Sequence, residues 1–501
     1  MNAHSLRSLA LAAAGTLVLT ACATAPAGKG LPSRPEKLAF GPLAFEVPRA
    51  DELRHELAGG VVAYVVPDRS LPLVEVTLHL RTGDFREPAD RPGLAALAAT
   101  LARVGGTATR TPEEFDERAD FLAAQLAASA SATGTRVSLN VLSISLGDGL
   151  DLLFDMVRNP RFDEARLAIE KGKALEAMKQ RNDDAGDIQG REWDWLLYGR
   201  EHFSTRVATA AQLESIGRAD LADFHRRTWG PEGMVIAVSG DVDPAAIVAE
   251  LEARLAGWRA AEPAPWPPAP PAFSPRPGLY HVEKEIPQGK VSIGHLGLHV
   301  ADWSDPEIYA LMVMNDVLGG GGFTARLMKR VRSDEGLAYG AYSDFGLGAF
   351  WPGSFEISYA SKNPTVALAA KIALEEVERI RREPVSGEEL RVSKASFVDT
   401  LPRGFESAAK IAATFVQDDL IGRPHSYWYD YRARIEAVDA AQVLSAAQKY
   451  LRPDQLVMLV VGKWSEIEPG DAEGRAKMAE LLGGAVEQLP LRDPLTLEPL
   501  P

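Results

Sequence analysis

Several segments of the chain alternate apolar and polar residues, which is the pattern of a β-strand with one buried face. The alternation is clearest over residues 72–80 (PLVEVTLHL), 136–144 (RVSLNVLSI) and 290–298 (KVSIGHLGL). Because successive side chains of a strand point to opposite faces, the apolar residues of each segment share one face. These segments are therefore predicted to be strands of sheets that pack on one side.

Helices are predicted between these strands. One begins at Pro92 and another at about Pro306, where Pro and Gly interrupt the preceding strand pattern. A third has a capping box at residues 111–114 (TPEE), with proline in the first helical position. Its apolar spacing predicts an amphipathic helix that continues through Leu126.

The chain also contains an internal repeat. A predicted helix at 216–228 is followed by the apolar run 231–240 (PEGMVIAVSG), and a helix at 438–450 is followed by 453–462 (PDQLVMLVVG). The offset is 222 residues for both elements. This repetition predicts a duplicated α+β domain, in which each copy is a mixed sheet with helices packed on it.

Proline-rich segments mark the boundaries of the two copies. Residues 262–278 are predicted to be an extended linker, since so many prolines do not fit inside a packed domain. The N-terminal domain is then expected over residues 45–261 and the C-terminal domain over residues 279–485. Residues 486–501, again rich in Pro and Leu, are expected to be a poorly ordered tail.

Residues 1–21 have the features of a secretory signal peptide. Arg7 precedes an apolar run from Leu9 to Leu19, which is shorter than the about 20 residues that span a bilayer. The run ends in Leu-Thr-Ala-Cys, which resembles a bacterial lipoprotein signal and implies lipidation of Cys22 at the periplasmic face of the outer membrane. A plain signal with a chance cysteine is the alternative. Residues 22–44 would then form a flexible tether.

Composition and charge exclude several classes of protein. The 501 residues are 25% charged and 46% hydrophobic, which is ordinary for a globular protein. With 69 acidic and 54 basic residues, the net charge of −15 repels phosphate backbones, so no nucleic-acid partner is expected. Cys22 is the single cysteine, which excludes a disulfide framework and a cysteine-based zinc site.

Both halves carry short motifs in addition to the repeat. They are Pro92–Ala95, Phe115–Ala132, His202–Ser204, Phe224–Trp229, Leu318–Gly322 and Gly336–Tyr339. Together with the duplication, these motifs resemble the pitrilysin/insulinase superfamily of zinc peptidases, and most of all its smaller, processing-peptidase-like branch. The resemblance covers residues from about 45 to 470. It implies an α+β clamshell half of two homologous domains, and chains that work in pairs.

The resemblance also implies a zinc site that this chain has lost. In catalytic members Gly-Leu-Ala is followed by His-x-x-Glu-His, whose histidines bind zinc while the glutamate polarises the bound water. Here Ala96 and Thr100 stand at the histidine positions and Ala99 at the glutamate, while Ala177 replaces the third ligand 77 residues later. A methyl group has no lone pair, and a neutral threonine hydroxyl is a poor ligand. No metal is expected on this chain.

The remaining histidines do not supply a replacement. His295 and His299 are four residues apart, but on a strand this spacing separates them by about 13 Å. We interpret them as half-exposed residues of a sheet.

The second half keeps a motif of its own. In the family, an arginine and a tyrosine seven residues later reach the substrate and the tetrahedral intermediate, and Arg332 and Tyr339 match this spacing. A fixed cation and a phenol donor can stabilise the negative charge that develops on an oxyanion. The alternative is that Arg332 pairs with a surface acid and that Tyr339 begins a buried strand.

Four consecutive glycines precede this motif. Gly319, Gly320, Gly321 and Gly322 resemble the glycine-rich loop that the non-zinc subunit of processing peptidases presents to substrate. A phosphate-binding loop is excluded, because the Lys-Ser/Thr pair that it needs is missing. A flexible turn between two helices is the alternative.

Loss of the zinc ligands with retention of Arg332 and Tyr339 is the pattern of a non-zinc subunit. The resemblance therefore implies a lipid-anchored partner of a zinc-bearing homologue, and the pair would bind and cleave peptides in the periplasm. Zinc is expected on the partner, and this chain is expected to be inactive alone. The alternative is a catalytically inactive lipoprotein that binds peptides or serves as a scaffold in the cell envelope.

Overall fold

The computed structural model describes residues 44–259 and 261–500, together with Arg34 and Leu38. The predicted signal peptide, the lipidation site Cys22 and most of the tether lie outside the described residues. No helix of the described part is long and apolar enough to cross a membrane.

The N-terminal half forms one mixed six-stranded sheet with helices packed against it. Its strands are β1 (Arg54–Glu56), β2 (Val62–Pro67), β3 (Leu73–Leu80), β4 (Gln125–Ala130), β5 (Thr135–Leu142) and β6 (Val235–Gly240). Its helices are α1 (Ala50–Leu53), α2 (Leu94–Val104), α3 (Pro112–Phe121), α4 (Leu146–Arg158), α5 (Glu164–Lys179), α6 (Ala185–Tyr198), α7 (Ala210–Ser215), α8 (Arg218–Thr228) and α9 (Pro244–Leu255). The strand order is β1-β2-β6-β3-β5-β4, in which β2 and β6 are parallel and the other neighbours antiparallel.

The C-terminal half repeats this arrangement. Its strands are β7 (Gly278–Glu283), β8 (Gln288–Leu296), β9 (Leu298–His299), β10 (Ala338–Phe345), β11 (Leu347–Gly348), β12 (Ser354–Lys362), β13 (Val457–Gly462) and β14 (Val486–Leu489). Its helices are α10 (Glu307–Asn315), α11 (Val366–Arg382), α12 (Gly387–Thr400), α13 (Ala408–Ile421), α14 (Ser426–Ala437), α15 (Ala440–Tyr450) and α16 (Trp464–Ile467). The main sheet has the order β10-β12-β8-β13-β7-β14, and β9 pairs with β11 beside it.

The internal repeat is visible in the strand register. Val238 of β6 lies opposite Val76 of β3, and Val460 of β13, 222 residues after Val238, lies opposite Val291 of β8. The two central strands of each half thus pair in the same way. The predicted fold class, two homologous α+β domains with mixed sheets, is confirmed.

The alternating strands bury one face, as their sequences predict. In β3 and β5 every second residue is fully buried in the core of the N-terminal half, namely Val74, Val76, Leu78, Val137, Leu139 and Val141. Helix α4 supplies Leu150 and Leu153 to the same core. Burial of these apolar side chains is the main stabilising contribution to each half.

Each half also lends one helix to the sheet of the other half. Ile188 and Leu197 of α6 share a buried cluster with Val282 of β7 in the C-terminal sheet. Conversely, Phe415 of α13 packs on Tyr64 of β2 in the N-terminal sheet, with 5.8 Å between the ring centroids. Because of this exchange, the described residues of both halves belong to one compact unit.

The proline-rich segment between the halves is packed against both of them. Residues 261–277 contain no helix or strand. The ring of Trp266 lies 5.9 Å from that of Phe85 and 5.0 Å from that of Phe350, and the guanidinium of Arg81 lies 4.8 Å from its centroid. The two halves are therefore held together by this aromatic contact as well as by the exchanged helices.

One helix boundary predicted from the sequence is wrong. Helix α3 begins at Pro112 with the predicted capping box, but it ends at Phe121 instead of Leu126. Ala123 takes a left-handed φ of 50°, which turns the chain and stops the helix. Residues 125–130 then pair with β5 as strand β4, because the sheet offers hydrogen bonds that the helical spacing could not reveal.

The expected poorly ordered tail is also incorrect in part. Residues Val486–Leu489 form β14, which pairs in parallel with β7 and adds a sixth strand to the C-terminal sheet. Further on, the side chain of Arg492 forms a buried ion pair with Glu192 of α6 at 3.2 Å. Backbone pairing and a buried charge thus hold a segment whose composition alone suggested disorder.

Candidate functional site

The positions that the resemblance assigns to the zinc ligands and the general base lie on two helices that pack against each other, α2 and α5. Ala96 is exposed, Ala99 is fully buried in the core of the N-terminal half, and Thr100 is partly buried. Ala177 is exposed on α5. These residues offer three methyl groups and one neutral hydroxyl, which do not fit the ligand set of zinc. The described residues contain no cluster of three or more His, Cys, Asp or Glu side chains that could hold a metal ion.

A carboxylate caps the start of helix α2 and was not found from the sequence. Glu87 accepts hydrogen bonds from the backbone N–H of Gly93, at 3.2 Å, and of Ala95, at 2.7 Å. Burial raises the pKa of Glu87 to about 7, although these hydrogen bonds act in the opposite direction. The sequence contains one signal for this cap. An acidic residue lies shortly before the Pro-Gly pair at which the helix starts, close enough for its side chain to reach the first backbone N–H groups.

The structure brings Arg332 and Tyr339 together. Arg332 lies in a π-helical segment, Met328–Asp334, and Gly336 with a φ of 64° turns the chain into β10. This reversal places the Arg332 guanidinium 4.9 Å from the centroid of the Tyr339 ring. Tyr339 is 85% exposed. The alternative in which this tyrosine begins a buried strand therefore does not describe the geometry.

A third residue, Phe323, completes the arrangement. Its ring centroid lies 4.8 Å from the Arg332 guanidinium, so that the cation stacks between two aromatic rings, and Phe323 is 74% exposed. Such contacts hold a guanidinium through its faces and leave its in-plane N–H donors open. The sequence signal for Phe323 is an aromatic residue directly after four glycines.

The neighbouring arginines are held differently. Arg326 pairs with Glu389 of α12 at 2.7 Å, and Arg330 pairs with the buried Glu376 of α11 at 2.6 Å. Burial alone would raise the pKa of Glu389, but hydrogen bonds, chiefly from Arg326, outweigh it and lower the pKa to about 2. For Arg332, in contrast, no carboxylate of the described residues lies within ion-pair distance. Two arginines thus fix the segment to the helices, and the third keeps its donors open.

Of the four glycines, the first is required for close packing and the last for a turn of the backbone. Gly319 is buried in the π-helical segment Asp316–Gly320, where an added Cβ would meet Ser343 Oγ at 2.5 Å and Leu327 Cδ1 at 2.8 Å. Gly320 is exposed, Gly321 is half-buried, and Gly322 has a φ of 61° with open space around it. The first glycine therefore allows close packing on β10, and the last allows the turn that presents Phe323.

Two cavities flank strand β10. A cavity of about 540 Å³ opens beside Tyr339 and is bounded by β8, β12 and helix α6. A second cavity, of about 340 Å³, lies where Gly319 and Gly320 meet Ser343 and Phe397. The predicted tyrosine and two of the predicted glycines therefore border cavities on either side of one strand.

The interpretation of His295 as a half-exposed sheet residue is wrong. Its side chain is buried, and its Nε2 accepts a hydrogen bond from the backbone N–H of Arg452 at 3.0 Å. Burial lowers the pKa of His295. His299, on β9, is exposed. The sequence pattern could not show that α15 and the loop after it cover this end of β8.

Solved structures share this fold. The peptidase M16 inactive domain from Pseudomonas fluorescens superposes with a TM-score of 0.74 at 24% identity, covering 84% of this chain and 98% of that one. The periplasmic protease PqqL from Escherichia coli superposes with a TM-score of 0.67 at 16% identity, covering 85% of this chain and 47% of that one. The chain thus has the two-domain α+β fold of M16 peptidases and their inactive domains.

Sequence comparison gives the family. Residues 64–189 match the description "Insulinase (Peptidase family M16)", and residues 215–397 match "Peptidase M16 inactive domain". An uncharacterized zinc protease of Mycobacterium tuberculosis is 28% identical over 355 residues, 69% of this chain and 78% of the relative. The uncharacterized zinc protease YmxG of Bacillus subtilis is 24% identical over 419 residues, 81% and 97% of the two chains. The chain belongs to the peptidase M16 family.

Proposed function

We propose that this chain is the non-zinc subunit of an M16-type metallopeptidase. It pairs with a zinc-bearing homologue, and the pair binds and cleaves peptides. Arg332 and Tyr339 enter the shared active site, and zinc is held by the partner. Alone, the chain does not hydrolyse peptides, because Ala96, Ala99 and Thr100 offer it no metal ligand and no general base.

The observation that carries this proposal is the contrast among three arginines of one segment. Arg326 and Arg330 are neutralised by glutamates, whereas Arg332 is stacked between exposed rings with its donors open. An unneutralised, pre-positioned cation at the surface has little value for folding. It is suited to a carbonyl or oxyanion that arrives with a substrate.

The surrounding elements can hold an extended peptide. Strand β10 forms one edge of the C-terminal sheet, and an edge strand can pair with an incoming peptide backbone. A peptide paired in this way runs past Tyr339, whose phenol donates toward a substrate oxygen. Arg332, at the other end of the turn that leads into β10, donates hydrogen bonds to the same substrate.

We place the pair at the periplasmic face of the outer membrane, anchored through lipids on Cys22. The signal-like residues 1–21 support export, and a solved relative of the same fold is a periplasmic protease. Several acyl chains on one cysteine hold a protein stably on a membrane, whereas a single chain is marginal.

Substitution of Arg332 in the purified pair tests the proposal. The pair is isolated from detergent-solubilised membranes through a tag on this chain, and its turnover of a quenched-fluorescence peptide mixture is measured. Arg332→Ala should lower turnover about 100-fold or more, the usual effect of losing one oxyanion donor. Both subunits should still co-elute, because the exposed stack contributes little to the fold.

Arg118→Ala is the matched control. Arg118 also stacks on an exposed aromatic side chain, Phe121, at 5.3 Å, but in the N-terminal half. Its loss should leave turnover unchanged. Normal turnover in the Arg332→Ala pair would refute the role given to Arg332. If the tagged chain returns no zinc-bearing homologue, the peptide-binding or scaffold alternative replaces the proposal.

A further inference from the structure

The cavity beside Tyr339 has an unusual charge in an acidic protein. Its lining includes Lys290 and Lys362 and no Asp or Glu. The polar remainder is Gln189, Gln288, Ser358 and the tyrosines 339, 342 and 359. In a chain with a net charge of −15, the cavity of about 540 Å³ is a local positive site.

The two lysines lie on one face of the sheet. Lys290 of β8 is opposite Ala360 of β12, and Gln288, two residues earlier on β8, is opposite Lys362. The lysines are therefore diagonal neighbours on adjacent strands, within the reach of long side chains. Two ammonium groups so placed repel each other unless an anion lies between them.

Only one of these charges is balanced. Lys290 Nζ lies 3.0 Å from Asp184 Oδ1, at the start of α6, and Asp184 also accepts a hydrogen bond from the backbone N–H of Gly186. Lys362 is exposed, and among the described residues its ammonium has no ion-pair partner within 4 Å. The site thus keeps one unbalanced positive charge next to Tyr339.

The duplicated half shows that the fold does not require this charge. The 222-residue repeat makes Ser239 equivalent to Val461, and their neighbours Glu75 and Lys290 therefore occupy equivalent positions. By the same register, Leu142 is the equivalent of Lys362. The N-terminal half folds with an acid and a leucine at these places, so the lysines serve something specific to the C-terminal cavity.

We propose that this cavity binds a carboxylate of an extended peptide, held by Lys362 and Lys290. The inference rests on the proposed function in one respect, the position of Tyr339 beside the peptide. A peptide paired with β10 brings its neighbouring side chains or its C-terminus toward β12 and β8, which carry Lys362 and Lys290 respectively. The carboxylate belongs either to an Asp or Glu side chain or to the peptide's C-terminus, and the chain accordingly prefers peptides that offer it.

Fluorescence anisotropy with the whole chain tests this inference without the partner. Four dye-labelled ten-residue peptides are compared, with Glu or Gln at the central positions and with a free or an amidated C-terminus. We expect peptides that offer the recognised carboxylate to bind about tenfold tighter than their neutral versions, the usual effect of a charge-assisted contact. The Glu/Gln and acid/amide comparisons separate the two sources of the carboxylate.

Four variants locate the contact. Lys362→Gln should remove most of the tenfold preference, and Lys290→Gln a smaller part, because Asp184 already offsets its charge. Lys329→Gln, an exposed lysine outside the cavity, should change nothing. Lys362→Glu should reverse the preference, so that the peptides without the recognised carboxylate bind more tightly than those that carry it. Thermal melting verifies that each variant is folded.

The outcomes separate this inference from the proposed function. Equal binding of all four peptides, absence of binding, or equal losses in Lys362→Gln and Lys329→Gln would overturn the carboxylate site. Unchanged turnover in the Arg332→Ala pair, with the acidic preference intact in the isolated chain, would overturn the shared active site and leave the cavity as a peptide-capture site.

Discussion

At the scale of single residues, the site depends on how one guanidinium is held. An ion pair would have fixed Arg332 but consumed its donors, whereas stacking between Phe323 and Tyr339 fixes its plane and leaves the donors open. In the proposed function Phe323 is therefore a positioning residue, which would act on substrate through Arg332.

Substitution of Phe323 should separate positioning from folding. Phe323→Ala removes one of the two stacked rings, a contact worth about 0.5–1 kcal/mol at an exposed site, so turnover of the pair should fall about two- to fivefold. Phe323→Tyr should restore it, because the ring is retained. The melting temperature should not change in either variant, since the side chain is 74% exposed. A loss of turnover that Phe323→Tyr does not rescue would contradict the assignment.

Glu87 predicts a pH effect on stability. Burial raises its pKa in the folded chain from 4.5 to about 7, so the folded state holds the proton more tightly than the unfolded state does. Its contribution is therefore greatest at low pH and is lost as pH rises from about 4.5 through about 7, by roughly 3 kcal/mol at most. Chemical denaturation at pH 5 and pH 8 measures it.

Glu87→Gln should remove this part of the pH dependence. The amide does not ionise, and its single oxygen can still accept one of the two hydrogen bonds, which the carboxylate receives on separate oxygens from Gly93 and Ala95. Other buried carboxyls with raised pKa values, such as Asp418, titrate in the same direction, so the difference between the two proteins is the quantity to compare. An identical pH slope in both would show that Glu87 is ionised throughout.

At the scale of elements, the glycine-rich segment packs as tightly as a core. Residues Asp316–Gly320 form a π-helical turn that lies against β10, and Gly319 is the contact point. Because β10 carries Tyr339, this packing fixes the position of the strand and therefore the position of the tyrosine beside its cavity. The glycines therefore act on the site partly through the strand they support.

Gly319→Ala should destabilise the protein by about 1–3 kcal/mol, the usual cost of overpacking. The added Cβ would meet Ser343 and Leu327, and both belong to elements that cannot withdraw easily. Gly387→Ala is the control, because nothing lies within 4 Å of a Cβ at that helical position. Thermal denaturation should show a lower melting temperature for Gly319→Ala and an unchanged melting temperature for Gly387→Ala. Equal melting temperatures would mean that the turn yields freely.

At the scale of the whole molecule, stability comes from exchange between the halves. Helices α6 and α13 each pack on the sheet of the opposite half. The segment after β14 contacts α6 through a buried cluster of charged side chains, Arg191, Glu192 and Arg492. The three side chains are 2–7% exposed. One carboxylate here neutralises two guanidinium groups, so a single acid links α6 to the C-terminal segment in addition to the helix exchange.

Glu192→Ala should cost about 3–5 kcal/mol, because it leaves two buried guanidinium groups without a counterion. Glu176→Ala is the control, since that side chain is 69% exposed and its pair with Lys179 is a surface contact. Urea denaturation measures both. A small effect at Glu192 would indicate that the cluster is already compensated by other groups.

The sequence by itself determined the duplication and the strands with one buried face, because these depend on local periodicity. It also shows three alanines and a threonine at the positions that the resemblance assigns to zinc chemistry. Arg332 and Tyr339 could be identified by spacing, and the glycines by their number. Only the tertiary structure decided that Phe323 completes the stack, that α6 and α13 are exchanged and that residues 486–489 form a strand. It also placed Lys290 and Lys362 beside Tyr339. These features arise from contacts between residues far apart in the chain, which no local pattern encodes.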